Sequence, residues 1–172
     1  MKAVIIVAYQ DFKDEECFIP KKILEESGVE IKIVSDKLGT AIGVSGGELK
    51  VDIQLSDLDI SEFDAVVFIG GPGALEHLDN ENSYKIIRDT MVINKILAAI
   101  CISPIILVKA GVLKNKKATV WTSEMDKRPQ RALEEYSAKY INKDVVVDGN
   151  IITANGPNAA EEFGKTIVSH LR

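Results

Sequence analysis

Three short, unbroken apolar segments constrain the fold most: Lys2–Ala8, Asp64–Ile69 and Ile96–Ile100. None alternates polar with apolar residues, so each reads as a strand buried on both faces. That is the pattern of a parallel sheet covered by helices. All fall well short of the ~18 apolar residues that span a bilayer.

Helical patterns separate these segments. Asp14–Ser27 is acidic at its start, carries Ile19, Ile23 and Leu24 on one face and stops at Gly28, although Pro20 predicts a kink or break. Glu30–Ser35 reads as a second strand. Lys37–Ile53, punctuated by Gly39, Gly43, Gly46 and Gly47, predicts a small hairpin beside the main sheet. Further helices are predicted at Asn82–Met91, Ser103–Ala110, Arg131–Lys139 and Asn158–Leu171, with a strand at Lys117–Trp121. Asp148-Gly149-Asn150 joins Val145–Val147 to Ile151–Thr153 as a hairpin. The reading is one domain over residues 1–172, a three-layer α/β/α sandwich with a mostly parallel sheet.

In such a fold, sites form beyond the carboxyl ends of the strands. Cys101 lies there, directly after Ile96–Ile100, with Pro104 fitting the first turn of the next helix. Free N–H groups and the helix dipole at this junction favour a thiolate, marking Cys101 as a candidate nucleophile or redox centre. Gly70-Gly71-Pro72-Gly73 follows another buried strand and can offer backbone N–H groups to an oxyanion. The acidic run Asp14-Glu15-Glu16 follows the first strand on the same edge.

The net charge of −5 and the absence of a basic cluster argue against nucleic-acid binding. Two cysteines and two histidines leave little material for a disulfide framework or a zinc centre, and no metal or cofactor is expected. Without an export signal or membrane segment, the expected location is the cytoplasm.

The sequence resembles the DJ-1/PfpI superfamily along essentially its whole length. Ala98-Ala99-Ile100-Cys101-Ile102-Ser103-Pro104 resembles the nucleophile elbow of that family. Glu15-Glu16-Cys17-Phe18-Ile19-Pro20 resembles its first helix, and counting back from Pro20 maps the glutamate that faces the cysteine to Glu16. Phe68–Gly73 resembles its N–H-donating glycine loop. Leu49–Asp52, Ala110–Leu113 and Val145–Asn150 resemble segments outside the site. The resemblance implies a flavodoxin-like sandwich, a homodimer or higher homo-oligomer, and a substrate that is a small carbonyl compound or a peptide. It implies glyoxalase or deglycase chemistry through Cys101 and Glu16, with Gly70, Gly71 and Ile102 supplying backbone around the oxyanion. A redox sensor or chaperone working through Cys101 oxidation is the alternative, and an intracellular peptidase a further one.

Two positions depart from the family pattern. Ile102 stands where the peptidase-like branch has a histidine, so a dyad of adjacent residues is excluded. Asn155 stands where the family often has arginine. Trp121, His77 and Asn155 are further candidates for the pocket. On this reading Glu16 is protonated by burial and donates to a Cys101 thiolate whose pKa the helix end lowers. Cys17, rotated off that face, reads as a core residue.

Overall fold

The computed structural model describes residues 1–172. In chain order its elements are β1 (Lys2–Ile6), β2 (Gln10–Phe12), α1 (Asp14–Glu26), β3 (Glu30–Ser35), β4 (Gly39–Gly43), β5 (Glu48–Val51), β6 (Ile53–Gln54), β7 (Ala65–Phe68), α2 (Pro72–His77), α3 (Glu81–Val92), β8 (Ile96–Ile100), α4 (Pro104–Lys109), β9 (Lys117–Ala118), α5 (Arg128–Glu135), β10 (Lys139–Tyr140), β11 (Val145–Asp148), β12 (Ile151–Ala154) and α6 (Ala160–Leu171).

Seven strands form the main sheet in the order β11-β12-β8-β7-β1-β3-β6. Every neighbouring pair is parallel except β11 with β12. Successive side chains on a strand point to opposite faces, so each strand feeds two cores. Ile5, Val67, Ala98 and Ile152 pack under α1 and α6 with Leu24, Phe163 and Ile167. Val4, Ile6, Phe68 and Leu97 pack on the other face with Ile86, Ile87, Ile105 and Ile106 of α3 and α4. The result is the three-layer, flavodoxin-like α/β sandwich that the buried strands imply.

The chain runs from β1 outward to β3 and β6, then returns to lay β7 on the opposite side of β1. The strand order therefore reverses between β1 and β7. Such a switch point opens a crevice at the strands' carboxyl ends, and the loops after β1, β7 and β8 meet there.

Several boundaries differ from the sequence expectations. α1 runs unbroken through Pro20. Here α6 packs closely: a Cβ on Gly164 would lie 3.0 Å from the Pro20 Cα. The packing of α1 and α6 offsets the local penalty of the proline. The hairpin of β4 and β5 gains β2 as a third strand, and β6 leaves it for the edge of the main sheet. Gly71 and Pro72 start a short helix, α2, absent from the sequence reading. α5 begins three residues earlier than expected because Pro129 suits its first turn. It ends before Lys139, which instead pairs with Lys117. Only Lys117 and Ala118 of the expected Lys117–Trp121 strand pair as strand. The next residues run to Trp121, whose N–H bonds to the Cys101 carbonyl at 2.7 Å.

Candidate active site

Cys101 adopts φ = +64°, a left-handed conformation that L-residues other than Asn and Asp rarely occupy. Strain of this kind costs about 1–3 kcal/mol and persists only where the surroundings enforce it. Three contacts do so. The Cys101 N–H bonds to the Ala154 carbonyl of β12 at 2.9 Å, and its carbonyl accepts from Trp121. The fully buried Ser103 hydroxyl donates to the Ile69 carbonyl at 2.7 Å, tying the elbow to the end of β7.

Glu16, in the first turn of α1, is fully buried. It meets Cys101 across Gly70. A Cβ on Gly70 would lie 2.5 Å from the Cys101 Cβ and 2.7 Å from Glu16 Oε2. Only a bare Cα lets the acid and the thiol share that space. Gly71 has φ = +114°, and a Cβ there would lie 2.5 Å from the Lys13 nitrogen. The Lys13 N–H in turn donates to the Gly70 carbonyl at 3.0 Å. The glycine loop and the start of α1 are thus one rigid unit.

Neither Glu16 oxygen receives a well-formed hydrogen bond. Burial pushes this carboxyl up to about 7; the nearby Cys101 thiol, the Gly70 N–H and the Lys13 charge pull the other way and only partly offset it. Burial is also the largest influence on the Cys101 thiol and pushes it up. An ionised Glu16 would push it further, against the Gly71 and Ile102 N–H groups. This corrects the expectation of a thiol lowered by the helix end: α4 is short, and desolvation outweighs the Gly71 and Ile102 N–H groups. The two acids form a coupled pair that gives up its first proton much more readily than its second.

The pair opens into a cavity of about 460 Å³ lined by Lys13, Glu16, Gly71, Pro72, Leu75, Cys101, Ile102, Trp121 and Pro157. Of the residues singled out from sequence, Glu16, Gly71, Cys101, Ile102 and Trp121 line it, and Gly70 lies behind the acid and the thiol. His77 and Asn155 do not line it. The His77 ring sits 3.1 Å from Asp36 Oδ2, at the end of α2. Asn155 donates its amide to Asp144 at 3.0 Å, because its backbone follows β12 towards the Asp144 segment.

The rest of the acidic run has other contacts. Asp14 accepts from the Ser45 and Gly47 N–H groups at 2.8 and 2.7 Å, closing the β4–β5 turn. Glu15 pairs on the surface with Lys13 at 3.5 Å. Cys17 is fully buried in the α1–α6 core, where burial pushes its thiol up. No group of three His, Cys, Asp or Glu side chains is placed to hold a metal ion. Sequence reasoning missed Lys13, Leu75 and Pro157; the sole signal for Lys13 was its place directly before the acidic run.

A strained cysteine elbow at the switch point of a flavodoxin-like sheet, faced by a buried acid, defines a class of α/β proteins built around one reactive thiol. The chain belongs to the DJ-1/PfpI family, whose profile matches residues 1–170. It is 33% identical over 169 residues to the deglycase PfpI of Pyrococcus furiosus, covering 98% of this chain and 99% of that protein. The crystal structure of a ThiJ/PfpI domain protein from Brachyspira murdochii superposes with a TM-score of 0.91 at 33% identity, covering 99% of this chain and 95% of that one. Drosophila melanogaster DJ-1beta superposes with a TM-score of 0.83 at 25% identity, covering 99% and 89%.

Proposed function

We propose that this protein is a cofactor-independent enzyme of the glyoxalase or deglycase type, acting on small reactive carbonyls through Cys101 and Glu16. The observation that carries this reading is the buried Glu16 carboxyl against the Cys101 thiol across Gly70, at the head of a cavity with no histidine in its lining. The P. furiosus relative, named a deglycase, points the same way.

The pair holds one proton between two acids near neutral pH. In the less populated tautomer the proton sits on Glu16 and the sulfur is a thiolate. It attacks the aldehyde carbon of a 2-oxoaldehyde: the C–S bond forms, the carbonyl π pair moves to oxygen, and Glu16 gives that oxygen its proton. The N–H groups of Gly71 and Ile102 stabilise the charge as it develops. Glu16, now a carboxylate, removes the former aldehyde C–H proton and passes it to the neighbouring ketone oxygen, giving an enediol. The C1 hydroxyl proton then moves to C2, leaving a thioester. Water cleaves the thioester, releasing a 2-hydroxy acid and restoring the thiol–acid pair. The sum is 2-oxoaldehyde plus water to 2-hydroxy acid, with no external oxidant.

Methylglyoxal should therefore yield lactate. Turnover no greater than that of Cys101→Ser would overturn the proposal.

A second reading uses the same contact. Protonated Glu16 beside the sulfur would donate to an oxygen of a sulfenic or sulfinic acid, making Cys101 a redox sensor. Mild peroxide should then oxidise Cys101 selectively, as read by mass spectrometry, and Glu16→Ala should suppress the sulfinic form. Equal oxidation of Cys101 and Cys17 would contradict this reading. The lack of a histidine in the cavity weighs against a peptidase. We also propose a homo-oligomer, supported by the exposed apolar residues Leu38, Ile42 and Val44 in and around β4.

A further inference from the structure

The cavity is apolar apart from two charged residue types, Glu16 and Lys13. Burial favours the neutral form of Glu16. Lys13 is the one basic residue in the lining. Its side chain is 31% exposed, and its one ionic partner, Glu15, is 48% exposed at 3.5 Å. A surface pair of this kind is weak, so the ammonium exchanges partners readily. The backbone of Lys13 is not free to move: its N–H is bonded to the Gly70 carbonyl and its nitrogen lies against Gly71. The stem of the cation thus starts from the same loop that brings Cys101 and Glu16 together.

We propose that Lys13 is a specificity-determining residue that binds a carboxylate carried by the substrate. The substrate class is then a 2-oxoaldehyde bearing a carboxylate at its far end. This rests on the glyoxalase-type reading above and adds the recognition element to it. A single ammonium beside an acidic neighbour matches one carboxylate better than a phosphate, whose dianion calls for several donors. Apolar Leu75, Ile102 and Trp121 would cover the carbon chain between the two ends.

Two aldehydes test the proposal: neutral methylglyoxal and anionic 4,5-dioxopentanoate, which should be converted to 2-hydroxyglutarate. Lys13→Met keeps an unbranched stem and removes the charge. It should lower the ratio of kcat/KM for dioxopentanoate to that for methylglyoxal about tenfold, mainly through KM, and Lys13→Arg should restore most of that ratio. Any effect of the lost charge on Glu16 falls on both substrates and cancels in the ratio. Glu15→Gln, which frees the ammonium, should raise the ratio. An unchanged ratio in Lys13→Met would overturn the proposal.

A binding measurement separates this proposal from the catalytic one. Glutarate, which cannot react, should slow alkylation of Cys101 by neutral iodoacetamide in the native protein and not in Lys13→Met. If neither aldehyde is turned over but glutarate protects in this Lys13-dependent way, the glyoxalase reading fails and the anion site stands. If glutarate protects both proteins equally, or neither, Lys13 is not the anion site.

Discussion

Glu16 concentrates the physics of the site in one residue. A carboxyl moved up from 4.5 to about 7 by burial is penalised once it ionises. The sign follows from proton linkage. Between those two values the folded state holds the proton that the unfolded state has lost, so stability falls as pH rises through that window. The full penalty is about 3 kcal/mol above neutral pH. Glu16→Gln should therefore be more stable than the native protein at pH 8 and nearly equal to it at pH 4, measured by urea denaturation at both. Identical difference curves at the two pH values would contradict a buried, raised acid. The same substitution should lower kcat on methylglyoxal by about 100-fold or more, since it removes a proton-transferring group. A residue that costs stability and whose loss lowers turnover is what the proposed function predicts.

At the scale of elements, the site depends on glycines that let elements touch. Gly70→Ala would force its Cβ against both Cys101 and Glu16. It should abolish turnover while the protein, if folded, keeps its far-UV circular dichroism. Retained activity would show that the close approach of acid and thiol is not needed. Gly164→Ala should destabilise by about 1–3 kcal/mol through overpacking against Pro20, with kcat little changed. These contacts mark the boundary of what the sequence made legible. Buried strands, the elbow and the glycine loop were readable because apolar runs and glycine–proline punctuation act locally. The continuity of α1 through Pro20 was not, since it depends on α6, some 140 residues later in the chain. The places of His77 and Asn155 were equally hidden: each is set by a partner, Asp36 or Asp144, that no local pattern connects to it.

Across the whole molecule, the order of the strands makes the site. β1, β7 and β8 are adjacent and parallel, and the reversal between β1 and β7 leaves an opening where Glu16, Gly70 and Cys101 converge. The alternation of buried strands and helices foretold the sandwich but not the strand order, which depends on long-range pairing. It also gave no hint that β2 would join β4 and β5 or that β6 would leave them. The proposed homo-oligomer belongs to this scale. Light scattering should give a mass of at least two chains, and Ile42→Glu, at an exposed position of β4, should shift it towards one. A native protein that is monomeric at micromolar concentration would contradict the assembly.

The central claim is that Cys101 and Glu16 share one proton: the first proton leaves mostly from Glu16, and the minor tautomer with the acid neutral carries the reactive thiolate. The rate of Cys101 alkylation by iodoacetamide as a function of pH reads this most directly. The native protein should show an inflection near pH 7, where the pair loses its first proton, and Glu16→Gln should move that inflection to well above 8. Coincident curves with the ordinary thiol midpoint of about 8.5 in both proteins would contradict it.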